Sequence, residues 1–258
     1  MSKFIFTQSA LKDLENEQTC PRRWYGQWVE RVIPFPSNEH LEKGKYFEWL
    51  FLGSGAKKDE KPPEMPRLKN GEKSTDQLRI EAQAVRAKEM FTEGHPDYIG
   101  HTIVEVQKYI EIGDDAGTLD IVTKDQKGDI WVIDVKLTKD LTSDRTEYGW
   151  GNDWSEMDLI QQVHYQSLYQ KLTGIRPQMA LLVFDYSPQK RIVFGEIEIS
   201  ENKIVNKDIR FAAAKDAFRL YEQNGWTRIP NPKECDACPL ACSERKNANK
   251  ISFKKIIY

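Results

Sequence analysis

Apolar positions along this chain follow two different periods, and the switch between them organises the reading. Over 9–32, Leu11, Leu14, Trp24, Tyr25 and Trp28 recur at helical spacing, with a break at Pro21. After the turn residues Pro34, Pro36 and Ser37, a second helix is predicted over 38–52. Across 53–75 Gly, Pro, Lys and Glu dominate and no apolar period survives, which predicts a long flexible insertion. A helix over 76–91 follows and stops before Gly94-His95-Pro96. The period then becomes two: 102–112, 117–124 and 129–137 read as consecutive strands with turn signals between them. The segment 154–172 reads as a helix ending at Gly174, 178–184 and 191–199 as a strand pair, and 203–223 as a last helix before a Pro- and Cys-bearing tail. Helices, a strand meander, a helix, two strands and a helix predict an α/β sandwich: one mixed sheet with helices on its faces.

Composition changes this picture little. A hydrophobic fraction of 39% and a charged fraction of 30% describe an ordinary globular protein. No apolar run approaches the roughly 18 residues of a membrane helix. The start Met1-Ser2-Lys3-Phe4-Ile5 lacks the apolar core of a signal peptide, so a cytoplasmic protein with no membrane partner is expected. The net charge of −2 argues against indiscriminate coating of nucleic acid but leaves room for a local basic groove.

The candidate chemistry lies on two of the strands. Asp120 sits in Gly117-Thr118-Leu119-Asp120, and the next strand reads Trp131-Val132-Ile133-Asp134-Val135-Lys136-Leu137. Asp134 and Lys136 are two apart and project from one face, and Asp120 lies a short hairpin away. Two carboxylates beside a lysine suit a hard cation such as Mg²⁺, which takes oxygen ligands, keeps waters and shields phosphate charge. Taken alone, Asp-x-Lys is more often a salt-bridged pair on a solvated strand face. The apolar residues around it shift the balance, because on a strand buried on both faces unpaired charge is costly.

The order Gly117-x-x-Asp120, Asp134-x-Lys136, then Gln161-x-x-x-Tyr165 on the following helix resembles the RecB-type branch of the PD-(D/E)xK nucleases. Their early acidic motif is best matched by Glu48 in Gly44-Lys45-Tyr46-Phe47-Glu48. The resemblance implies a restriction-endonuclease-like core. Glu48, Asp120, Asp134 and the carbonyl of Val135 would hold Mg²⁺ or Mn²⁺, and Lys136 would be the catalytic lysine. Gln161 and Tyr165, one helical turn apart, would grip DNA or orient the ligands, although by themselves they read as a polar patch. His164 reads as a surface residue, and Glu105 as a solvated strand carboxylate rather than an extra acid of the site.

Cys235, Cys238 and Cys242 form C-x2-C-x3-C, and Cys20 stands alone near the other end. Four thiolates can hold a tetrahedral zinc or a cubane cluster. The start Ser9-Ala10-Leu11 followed by Cys20-Pro21-x-x-Trp24-Tyr25 resembles the iron–sulfur nucleases of the same branch, among them the AddB nuclease domain and exonucleases of CRISPR spacer acquisition. That resemblance implies a 4Fe–4S cluster on the four cysteines, although the x3 spacing departs from the wider family pattern and keeps Zn²⁺ as the alternative.

These readings give a single nuclease domain over 1–258, with a core over 38–224, a four-cysteine cap from 1–37 and 225–258, and the insertion over 53–75. Lys57, Lys58, Lys61, Arg67, Lys69 and Lys73 make that insertion either a flap near bound DNA or an inert linker. Trp24, Tyr25, Trp28, Trp150 and Trp154 could stack on bases, with core the better reading for Trp24 and Trp28. The expected activity is metal-dependent hydrolysis of DNA, as an exonuclease on single-stranded or frayed ends. Partner proteins would belong to recombination, repair or phage replication. The alternatives are an inactive DNA-binding protein of the same fold, a zinc-stabilised scaffold, and an enzyme of RNA or DNA cap processing.

Overall fold

The structure is a computed structural model that describes residues 4–16, 19–53, 63, 65, 68–141 and 157–226. The chain divides into two compact units, one formed by Ser37–Val205 and the other by Met1–Pro36 with Asn206–Tyr258.

In the unit Met1–Pro36 with Asn206–Tyr258, a two-residue strand β1 (Phe6–Thr7) leads into α1 (Gln8–Glu15), and Pro21 opens α2 (Pro21–Trp28) at its first turn, where proline's missing N–H costs nothing. The helical stretch predicted over 9–32 is therefore two helices, with Cys20 as the N-cap of α2. The last helix, α6 (Glu201–Asn224), places most of its length in this unit. Its Phe218 stacks on Phe4 at 5.5 Å between ring centroids, and Trp226 stacks on Trp24 at 5.5 Å. Trp24 is fully buried, and its Nε1 donates to the Ala10 carbonyl at 2.9 Å. Arg210 closes the unit with a two-pronged bond to Glu15, at 2.5 and 2.8 Å.

The unit Ser37–Val205 starts with α3 (Glu39–Leu52), where Asn38 accepts from the Leu41 N–H, and ends that helix on Gly53 at φ +76°, a left-handed turn that glycine adopts without cost. In α4 (Thr75–Glu89), Ser74 accepts from Gln77 N–H. The two helices are tied together by Lys43–Asp76 at 2.7 Å and by Tyr46 Oη donating to Glu81 at 2.6 Å. Part of the stretch read as a structureless insertion is ordered: Met65 is buried in the core, and Leu68 and Glu72 close a turn. Lys57, Lys58, Lys61 and Arg67 lie outside the described residues, whereas Lys73 pairs with Glu81 at 2.6 Å.

Strands β2 (His101–Ile112), β3 (Asp115–Asp125), β4 (Ile130–Thr138), β5 (Gln178–Asp185) and β6 (Ile192–Ile197) lie side by side in that order. All neighbours are antiparallel except β4 and β5, which run parallel because α5 (Ile160–Thr173) lies between them in sequence. Helix α5 starts at Ile160, later than the pattern predicts. Asp158 accepts from the Ile160 N–H in a local turn, and 142–156 lie outside the described residues.

Alternation along β4 and β5 supplies two cores. Ile133, Val135, Leu182 and Phe184 pack on Phe47, Phe51 and Ile80 of α3 and α4. Val132, Leu181 and Val183 face the other way, onto Val163 and Leu168 of α5. The result is a mixed sheet flanked by helices, the α/β architecture expected from the order of elements. Among the described residues, no helix is long and apolar enough to cross a membrane.

The close seat of α5 on the sheet depends on Gly117. A Cβ there would stand 2.9 Å from Tyr165 Cε1 and 3.0 Å from Leu168 Cδ1. Gly117→Ala is therefore expected to cost about 1–3 kcal/mol by overpacking, read as a lower denaturation midpoint at unchanged m-value. A midpoint equal to wild type would show that α5 has slack at this contact.

Candidate active site

β3 and β4 are paired from Ile121 opposite Ile133 to Lys124 opposite Ile130. Beyond Ile121 and Ile133 the ladder stops, and the next residue on each strand is an aspartate. At this fork the Val135 N–H, left without a β3 carbonyl, donates to Asp120 Oδ2 at 2.9 Å. Asp120 is thus aimed by the backbone of the strand that carries Asp134.

Asp134 has no exposed surface. Lys136 Nζ reaches both of its oxygens, at 2.8 and 2.7 Å, and Gln162 Nε2 donates to Oδ2 at 2.8 Å. The common face predicted for Asp134 and Lys136 is thus present, and their environment is not a solvated strand face. Burial alone would lower the Lys136 pKa, but Asp134, Asp120 and Glu48 together raise it, so it remains an ammonium.

Glu48 reaches the same cluster from α3. Burial pushes its carboxyl up to about 7, and the charge of Asp134 adds to the rise, against the pull of Lys136 and Lys45. Burial likewise holds Asp120 well above the usual carboxylate range, reinforced by Asp134 and Glu48 and opposed by Lys136 and the Val135 N–H. Three acids thus share one close cation, and the cluster is short of positive charge.

From α5, Gln161 Nε2 donates to Tyr165 Oη at 3.0 Å. Burial, then the charges of Asp120 and Asp134, raise the Tyr165 pKa, so the phenol keeps its proton and can donate it in a hydrogen bond. Gln162, which the Gln-x-x-x-Tyr pattern passes over, is the amide that holds Asp134. It lies one turn before the buried Gln166 on the core-facing stripe, and a buried amide requires a partner. His164 corrects the surface reading: it is 2% exposed, and its Nε2 donates to the Ala116 carbonyl at 3.1 Å. Glu105 pairs with Lys108 along β2.

The fit of a divalent cation rests on the donors. Among the described residues, no three Asp, Glu, His or Cys side chains stand close enough to cage an ion as placed. Glu48, Asp120 and Asp134 accordingly do not close on one coordination sphere here. Lys136 supplies the compensating charge at Asp134 instead. The donors are nevertheless all hard oxygens in excess of their cations. Mg²⁺ and Mn²⁺ need only one or two carboxylates, completed by water and substrate phosphate, so the set fits such an ion. Cys20 is buried, whereas Cys235, Cys238 and Cys242 lie outside the described residues, as do Trp150 and Trp154.

Three comparisons bear on this geometry. A candidate exonuclease from Eubacterium rectale, known from its crystal structure, superposes with a TM-score of 0.59 at 18% identity, covering 99% of this chain and 91% of that one. The structure of SSO0001 covers 95% of this chain and 88% of that one at 14% identity and a TM-score of 0.37. No curated protein matches. The family model of the PD-(D/E)XK nuclease superfamily matches residues 6–243, so nearly the whole chain is accounted for, and this protein belongs to that superfamily.

Proposed function

We propose that this protein is a Mg²⁺- or Mn²⁺-dependent deoxyribonuclease that shortens single-stranded or frayed DNA from an end. The observation that carries the proposal is the fork between β3 and β4, where Asp120, Asp134 and Lys136 meet under Glu48. Its reach to an end-directed activity is supported by the candidate exonuclease that shares the fold.

In this reading Glu48, Asp120, Asp134 and the Val135 carbonyl hold the ion. When bound, that ion supplies Lewis-acid stabilisation of phosphate charge and a more acidic water. Lys136 offsets the charge that builds on the phosphoryl oxygens as water attacks phosphorus and the P–O bond to the leaving strand breaks. Tyr165 offers its O–H to a phosphate oxygen, positioned by Gln161. Gln162 and the Val135 N–H keep the two aspartates in place during turnover. An inactive DNA-binding protein would gain nothing from buried carboxylates that repel phosphate.

We also propose that Cys20 and Cys235, Cys238 and Cys242 share a 4Fe–4S cluster, with Zn²⁺ as the alternative occupant. Support comes from Trp226, nine residues before Cys235, which stacks on Trp24 and on Tyr25 at 4.7 Å between ring centroids. The chain leading to the three cysteines therefore starts beside the helix that Cys20 caps. Nine residues span at most about 30 Å, which leaves ample reach.

End-labelled single- and double-stranded DNA with Mn²⁺ tests the activity. Wild type should release short products. Lys136→Ala should fall by about 10²–10³-fold, and Asp134→Asn, which keeps the Gln162 bond, should fall to background, both with unchanged circular dichroism. Folded wild type that binds DNA without cutting it would sink the proposal.

Stability of the cation-free protein should fall as pH rises from the ordinary glutamate range through about 7. The raised Glu48 pKa makes the folded state favour the protonated carboxyl, a preference lost on ionisation. Stabilisation by Mn²⁺ should accordingly grow across the same window, and Glu48→Gln should flatten both trends in thermal melts.

Protein prepared without oxygen should be brown, and Cys20→Ser should lose iron and colour. Closing a loop of more than two hundred residues is worth on the order of 5 kcal/mol at most, by analogy with disulfides. A colourless protein with one tightly held zinc would reject the cluster and keep the staple.

A further inference from the structure

Two irregularities meet at one residue of β2. Gln107 has φ +47°, a left-handed backbone that a non-glycine residue rarely adopts within a strand. Both atoms of its side-chain amide are buried and, among the described residues, have no hydrogen-bond partner. A buried amide with donor and acceptor both idle is costly, and strained backbone tends to gather at functional sites.

The register shows what lies opposite. Val106 faces Ile121 and Lys108 faces Leu119, which sets Gln107 level with Asp120 on the neighbouring strand. Residues level with each other on neighbouring antiparallel strands are within the reach of a side chain as long as glutamine. Asp120 Oδ2 is engaged by the Val135 N–H from the β4 side, and Gln107 belongs to the strand on its other side.

We propose that Gln107 is a positioning residue for Asp120. With a divalent cation in the site, its Nε2 would donate to the Asp120 carboxylate and hold that carboxylate in place as a ligand. The role rests on the nuclease reading above. It follows from the general need of a ligating carboxylate for hydrogen bonds of its own.

The test separates positioning from packing by their opposite signs. Gln107→Leu removes an unpartnered buried amide, so the melting temperature of the cation-free protein should stay level or rise. Mn²⁺ affinity, measured by calorimetry without DNA, should drop about 10–100-fold. Cleavage should be slow at limiting Mn²⁺ and recover at saturating Mn²⁺, with an unchanged KM for DNA. Gln107→Gly, which accepts the left-handed backbone without strain, should show the same loss of affinity and guards against a folding defect in the leucine variant. Wild-type Mn²⁺ affinity in both variants overturns the proposal, as does a lower melting temperature with unchanged affinity, and neither outcome touches the nuclease assignment. Wild-type protein that neither binds Mn²⁺ nor cuts DNA would remove the nuclease reading and this role together.

Discussion

The ion pair between Lys136 and a carboxylate with no exposed surface is the constraint around which the rest of the site is arranged. A buried charge without compensation would cost more than most single contacts contribute, so Asp134 recruits an ammonium, an amide from α5 and a place at the end of a strand pairing. Asp120 and Glu48 then enter a neighbourhood whose cation is already committed, and both respond by holding protons more tightly. The site is therefore an electrostatic deficit built by folding.

That deficit was readable where the sequence breaks its own rule. Aspartates within the apolar run of β4 and near the end of the preceding strand contradict the pattern that makes them strands, and Lys136 names the compensation. The strands and most helices were equally legible, because their apolar periods are long and bounded by Gly, Pro, Asn or Ser. The interior of α5 was not. Gln162, His164 and Gln166 are all buried, each bonded to a carboxylate or a backbone carbonyl, so polarity along this helix does not report which side faces the sheet. The choice between Gln161 and Gln162 turns on one residue step, about 100° of rotation. The same blindness applies to Gln107, whose backbone conformation depends on a register fixed by β3.

Packing and chemistry share residues at several points. Gly117 lies in the motif that introduces Asp120, yet what it accommodates is the ring of Tyr165 and a methyl of Leu168. Gln83 of α4, fully buried, donates to the carbonyls of Asp185 and Arg191 at 2.6 and 3.2 Å. It holds the turn after β5 and so fixes the strand running beside β4. Neither residue touches the acids, and both set how firmly those acids are held.

Burial of β4 and β5 on both faces has a consequence for how the molecule opens. In native-state hydrogen exchange, amides flanked by two packed cores open only with the whole unit, while edge strands and helix ends open locally. Ile133, paired with β3 on one side and β5 on the other, should have an amide that exchanges among the slowest in the protein. The residues of α3 and α5 that complete the site belong to elements with one face turned outward, and these can loosen without disturbing the strand beneath. A fixed floor of charge therefore lies under walls that open more readily than it does.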